Sequence, residues 1–225
     1  MAFRWNCNNI VTLKPNHRNP KMLIYDISRP LNNFVETYPG DPEFRLNYLQ
    51  TIEEGNSFSL SSFSMSSHTG THIDAPSHFL SGGSNIDELP LSLLMGAAVL
   101  IQITQEYIDA QTLEESNIPK NTSRLLIGTK NPKCKGMTID GAKWIMKRTI
   151  NLVGIDRLSI EDPDTETFPI HKYLLSNHIL LVEGLKLDEI PADTYNLVCL
   201  PLPISSAEAA PVRAVLTKNV VKNGK

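Results

Sequence analysis

Between Ser67 and Phe79 the chain reads SHTGTHIDAPSHF, which places three of its six histidines and an aspartate in thirteen residues. Two imidazoles and a carboxylate are a common ligand set for a divalent cation, and three protein ligands leave a position open for water. A divalent ion lowers the pKa of such a water to about 7. His68 and His72 have the spacing of a zincin helix, but Thr69 stands where a zincin carries its glutamate base. Thr69, Gly70 and Thr71 are weak helix formers, and Pro76 lacks a backbone donor. The segment is therefore expected to be extended or gently bent. Residues two apart in an extended chain point the same way. His68, His72, Asp74 and His78 share parity, so all four are expected to face one side. Gly70 leaves space between the first two histidines, and Pro76 bends the chain so that His78 lies over the site. A polar loop with its histidines bonded to backbone is the plainer alternative; four such groups sharing parity favour a metal.

A second segment, HKYLLSNHILLVEGL from His171 to Leu185, holds the other candidates. Glu183 interrupts an apolar run. Burying an unpaired carboxylate is costly, so it meets a cation, a donor or a metal, or else turns to solvent at a strand end. His171 starts a short helix and His178 ends it, and spacing alone leaves open which of them turns toward the sheet. His178 could instead stabilise the helix C-terminus. Asp156, ending LVGID, is either a strand-end cap or a partner that orients a histidine. No G-x-S-x-G, P-loop or G-x-G-x-x-G is present, which removes the nucleophile-elbow hydrolases and the common phosphate cradles.

The elements that must position these groups are mostly strands. Strands are expected at MLIYDIS, FRLNYLQ, FSLSSFSM, AAVLIQIT, SRLLIGT, NLVGID, HILLVEG, YNLVCLPLPI and PVRAVLT. FRLNYLQ and FSLSSFSM alternate as strands with one buried face. Pro39-Gly40 in YPGDP suits a type II turn. Short helices are expected at TLEESN and PIHKYLLSN. An amphipathic helix is expected over 138–149, capped by Thr138, with Ala142, Ile145, Met146 and Thr149 on one face. Regular βαβ alternation is not apparent, so the expectation is a mixed sheet with a few helices packed on it.

The 225 residues are 41% hydrophobic and 20% charged, enough for one sizeable core. A formal net charge of −3 gives no basic field to attract nucleic acid or an anionic membrane. The three cysteines are scattered, which argues against a disulfide framework and fits a reducing cytoplasm. No apolar run is long enough to cross a bilayer. Residues 1–21, polar and rich in asparagine, are expected to be a flexible leader carrying a solvated His17, with one domain over 22–225.

The chain resembles the cyclase-like family of metal-dependent hydrolases, best known from bacterial kynurenine formamidases. The hallmark H-x-G-T-H-x-D-x-P-x-H-F is matched at every fixed position by His68 to Phe79. The resemblance runs from about Tyr25 to Thr217 and includes YPGDP, RLLIGT, LVGIDRLSIE and APVRAVL. It implies a swivelling β/β/α fold, an α/β arrangement with a mixed, partly barrel-like sheet, usually seen as a homodimer or homotetramer. It implies two divalent ions, zinc or manganese. His68, His72 and Asp74 would bind the first, Asp74 would bridge to a second held by His171, and Glu183 would bind or bridge both. His78 would carry protons rather than bind metal. Tyr38 stands where such formamidases place a tryptophan that contacts substrate. Arg157 stands where they tend to have a small residue; it binds a substrate carboxylate or pairs with Glu161 or Asp162.

The expected function is hydrolysis of a C–N amide bond in a small aromatic molecule, such as N-formylkynurenine to kynurenine and formate. Hydrolysis of isatin or another cyclic amide is the alternative chemistry. A metal-dependent binding protein without catalysis is the alternative class, and His78 argues against it.

Overall fold

The computed structural model describes residues 10–13 and 21–220, so His17 lies outside the described residues. Strands β1 (Ile10–Leu13) and β2 (Lys21–Asp26) come first, followed by the hairpin β3 (Arg45–Gln50) and β4 (Leu60–Ser64). Next are β5 (His72–Asp74), α1 (Leu91–Leu94) and β6 (Met95–Ile103). Three helix–strand pairs continue the chain: α2 (Ala110–Glu115) with β7 (Arg124–Thr129), α3 (Ile139–Met146) with β8 (Leu152–Ile155), and α4 (Pro169–Ser176) with β9 (Leu180–Glu183). Strands β10 (Asp193–Pro201) and β11 (Ala209–Val220) end the described chain. No helix among the described residues is long and apolar enough to cross a membrane.

The sheet order is β1-β2-β11-β10-β6-β7-β8-β9-β5, and β5 also pairs with β11, which closes seven of the strands into a barrel. Strands β6 to β9 run parallel, while the other neighbours are antiparallel. The mixed, barrel-like α/β fold expected from sequence is thus the fold observed. One part of that reading is corrected. From β6 to β9 the alternation of strand and helix is regular. Antiparallel strands on either side obscured it in the order of elements.

Strand periodicity divides the core in two. On β7, β8 and β9, Leu126, Leu152, Leu180 and Val182 pack with Ile27, Ile73, Leu100 and Leu197 in one cluster. The alternate residues Leu125, Ile127, Val153, Ile155 and Leu181 meet Leu113, Ala142, Ile145, Ile170 and Leu174 from the helices in another. Burial of two such faces fixes the register of each strand, because a one-residue slip would exchange them.

Three local expectations are revised. Thr138 caps α3, its Oγ1 accepting from Gly141 N at 3.3 Å. The buried face of α3 is Gly141, Ala142 and Ile145, however; Met146 is exposed, and Thr149 lies beyond the helix end. The segment expected to be a leader contains β1, whose Ile10 pairs with Tyr25 and Leu13 with Met22; four residues of β propensity extend the sheet edge there. The β3–β4 hairpin has no buried face, because no other described element covers it. Leu46, Tyr48, Leu49, Leu60 and Phe63 are all exposed.

Candidate metal centre and active site

The site begins at the seam where the barrel closes. His72 pairs with Glu183 across β5 and β9, so their side chains leave the sheet on the same side. Asp74, two residues on, shares that face. Ile73 and Val182, of opposite parity, enter the apolar cluster. His72, Asp74 and Glu183 are each no more than 3% exposed. The backbones at the seam approach closely. Gly184 has φ +65°, and a Cβ there would lie 2.1 Å from the Gly70 carbonyl oxygen, so the crossing requires glycine.

Only His72–Asp74 is extended, so shared parity is not what gathers the four motif groups. His68 enters from the turn before β5, where its backbone N–H donates to Ser66 Oγ at 3.2 Å, and Ser66 Oγ donates to Asp41 Oδ2 at 2.8 Å. That contact ties the YPGDP turn to the motif. Gly70 does not act as a spacer between histidines; it takes φ +72° and packs near Leu31. His78 sits in the 3-10 turn Pro76–His78, with Pro76 at its start, and its ring centroid is 4.2 Å from that of His68. His171 comes down from the first turn of α4 and is buried.

The ring nitrogens and carboxylate oxygens converge. His68 Nδ1 is 3.0 Å and His72 Nε2 3.5 Å from Asp74 Oδ1. His171 Nε2 is 3.6 Å from Asp74 Oδ2 and 3.2 Å from Glu183 Oε1, and His72 Nε2 is 3.7 Å from Glu183 Oε2. Ligand bonds of about 2 Å to one cation place neighbouring donor atoms about 3–3.5 Å apart. Both Asp74 oxygens are fully buried, and no well-directed hydrogen bond reaches either, although His68 Nδ1 stands close to Oδ1. Buried carboxylate oxygens require a partner, and here the atoms facing them are ring nitrogens of imidazoles. A divalent cation fits this donor set.

The far nitrogens support the same reading. His72 Nδ1 is 3.2 Å from Gly70 O, His171 Nδ1 is 3.1 Å from Glu161 Oε1, and His68 Nε2 is 3.4 Å from Glu208 Oε1. An acceptor at one ring nitrogen holds a proton there and leaves the lone pair of the other for a metal. The ring of His78 makes no hydrogen bond to a described residue, although a ligand atom of His78 lies within 4.8 Å of those of His68 and Asp74.

Charge in the cage follows from these contacts. Burial opposes ionisation of Asp74, but the contact with His68 and the charges of His72, His68 and His171 hold its carboxyl far below the usual carboxylate range. Burial likewise works against a charged His171. The Glu183 charge and the contacts with Glu161, Glu183 and Asp74 reverse this and hold it up at about 10. A negative cage that retains a proton so strongly is one that accepts a cation. His78 is the opposite case. Burial holds it down to about 4, with His68 and His171 adding to the effect and Asp74 and Glu208 opposing it.

Other candidates fall elsewhere. His178 is exposed beyond the end of α4, away from the buried cage. Asp156 caps a strand end rather than orienting a histidine; its oxygens accept from Thr129 N at 2.8 Å and Thr129 Oγ1 at 2.7 Å. Glu161 and Glu208 are the residues that sequence reasoning missed. Glu161 Oε1 also accepts from the Ile170 and His171 backbone N–H groups at 2.7 and 2.9 Å, which fixes the start of α4. Glu208 accepts from Ser67 Oγ at 2.6 Å. Ile160 N donates to Glu183 Oε1 at 2.7 Å.

A cavity of about 220 Å³ opens above the cage, lined by Tyr38, Phe79, Leu158, Ser159 and Phe168 as well as the polar groups. Phe79 and Phe168 have ring centroids 5.3 Å apart, and Phe79 lies 4.8 Å from His171. Phe168 is held at φ 50° at the start of α4. Such backbone strain costs about 1–3 kcal/mol and collects at functional sites.

Residues 25–162 match the family model named Cyclase. A kynurenine formamidase of Bacillus anthracis is 34% identical over 200 residues, covering 85% of this chain and 95% of that protein. Cyclase-like protein 2 of Oryza sativa subsp. japonica is 37% identical over 188 residues, covering 75% and 69%. A solved structure described as a potential metal-dependent hydrolase with cyclase activity superposes with a TM-score of 0.76 at 30% identity, covering 89% of this chain and all of that one. With the family match covering the His68–Phe79 motif and the relatives extending over most of the chain, the chain belongs to the Cyclase family of metal-dependent hydrolases.

Proposed function

We propose that this chain hydrolyses the formamide of N-formylkynurenine, releasing kynurenine and formate. The observation that carries the hydrolase reading is the paired orientation of the imidazoles: each of His68, His72 and His171 turns one nitrogen to the carboxylate cage while an acceptor faces the other. The formamide substrate is supported by the relatives named kynurenine formamidase and by the aromatic walls of the cavity.

In this reading His68, His72, Asp74, His171 and Glu183 would hold two divalent ions, zinc or manganese. When bound, the ions supply Lewis-acid polarisation of the scissile carbonyl and acidify water. His78, neutral at pH 7, accepts the proton of the attacking water at a ring nitrogen and delivers it to the departing aryl amine. The carbonyl carbon gains the water oxygen as its bond to nitrogen breaks. Phe79, Phe168 and Tyr38 bind the aryl ring and exclude solvent from the cage. Glu161 keeps His171 in the required tautomer and orientation, and the charge of Glu208 faces the outer nitrogen of His68.

We also propose that copies of the chain associate as a homodimer or homotetramer through the β3–β4 hairpin. Its exposed apolar side chains, with Leu46 and Phe63 directly opposite one another across the hairpin, would supply that contact.

The direct test of the activity follows formate release from N-formylkynurenine and ring opening of isatin, each with and without chelator. Chelator-sensitive formate release supports the proposal. Turnover of isatin alone would replace it with cyclic-amide hydrolysis.

A further inference from the structure

We propose that Arg157 selects the substrate by pairing with a carboxylate borne on an arm of its aryl ring. The inference rests on the amide-hydrolase reading and names which amides the site prefers. A cleft of about 500 Å³ adjoins the cavity above the cage, and Tyr38, Leu158 and Ser159 line both. Its two cations are Arg29 and Arg157. Arg29 is fully engaged: Nε donates to Gly184 O at 3.2 Å, Nη2 to Asp156 O at 2.6 Å and Nη1 to Glu36 Oε2 at 3.2 Å. The Arg157 guanidinium, half-buried, makes no hydrogen bond or ion pair with any described residue.

The acids of the cleft are engaged elsewhere. Asp156 is bound by Thr129, Glu161 by His171 and the start of α4, and Glu36 by Arg29. Asp162 accepts the Asp164 backbone N–H. The pairing of Arg157 with Glu161 or Asp162 contemplated from sequence does not form. What remains is a planar fork of donors facing a cleft, a geometry that matches a carboxylate with two parallel bonds.

The backbone sets where that fork stands. Arg157 O accepts from Gly184 N at 2.8 Å, beside the site carboxylate of Glu183. Three residues later Ile160 N binds Glu183, and Glu161 binds His171. One short loop therefore anchors two side chains of the cage and carries the unpaired guanidinium. A substrate with its amide at the cage and its ring against Phe79 and Phe168 would extend an arm past Tyr38 and Ser159 into the cleft.

The test compares N-formylkynurenine with 2-formamidoacetophenone, which has the same aryl formamide but no amino-acid arm. In Arg157→Gln the ratio of kcat/KM for the two, carboxylate-bearing over carboxylate-free, is expected to fall about 10- to 100-fold, chiefly through KM. Arg157→Lys should restore part of that ratio. A merely structural role would lower both substrates alike, and an unchanged ratio would overturn the inference. Binding is read separately, by calorimetry with kynurenine and 2-aminoacetophenone. If the wild-type protein turns over neither formamide, the hydrolase reading fails. The inference then stands or falls on whether Arg157→Gln selectively weakens kynurenine binding.

Discussion

Glu161 Oε1 lies 3.1 Å from His171 Nδ1, and the opposite ring nitrogen of His171 lies 3.2 Å from Glu183 Oε1. The imidazole is thus held between one carboxylate that orients it and another that shares its face of the cage. Glu161→Gln keeps an oxygen to accept from the α4 backbone but removes the charge. We expect metal affinity to fall about 10–100-fold, measured by competition with a chromophoric chelator. Unchanged affinity would show that the Glu161 charge is unimportant to the site.

His78→Ala tests the division of labour in the motif. The variant should keep its metal content and thermal stability while kcat falls about 10²–10⁴-fold. Elemental analysis decides the point, because His78 lies close enough to His68 and Asp74 to share an ion with them. Loss of an ion in this variant would make His78 a ligand.

Metal uptake should expel a proton. In the ion-free protein His171 is held up at about 10, above its ordinary 6.5, so it is protonated at pH 7. The stability this gives the ion-free fold is fully present below about 6.5 and is lost as pH rises through about 10. An ion requires the neutral ring, so its affinity should rise with pH, about tenfold per unit for one proton released. Calorimetric titration with zinc in two buffers of different ionisation enthalpy counts the protons. A count of zero would contradict the protonated His171.

The exposed hairpin makes a prediction about assembly. Phe63 stacks with Phe44 at 6.3 Å and is itself 60% exposed. On the proposed association, Phe63→Glu should be a monomer in light scattering at micromolar concentration where the unsubstituted chain is an oligomer. A wild-type monomer under the same conditions would remove the basis for association through this surface.

The motif histidines and Asp74 could be picked out because their types and spacing are unusual, and Glu183 because it interrupts an apolar run. What gathers them was less visible. Convergence arises from turns on both sides of a three-residue strand, not from one extended face. Glu161 lies in the polar run EDPDTET, which looks like solvated loop; only the path of that loop beneath α4 buries it. Glu208 carries no local signal at all, since β11 is brought beside β5 by closure of the barrel. Asp156 and His178 were credible by type, but each is local: one caps Thr129 and the other is exposed. The strands were legible from their alternation, whereas the bare faces of β3 and β4 were not, because alternation predicts a cover without saying which chain supplies it.

Strand β5 is only three residues long, yet it pairs on one side with β9 and on the other with β11. It is the stave that shuts the barrel, and His72 and Asp74 are two of its three residues. The pairing that encloses the interior is therefore the same pairing that sets His72 opposite Glu183 and Asp74 beside it. Substitutions that weaken this shortest join are therefore expected to lower barrel stability and cation affinity together.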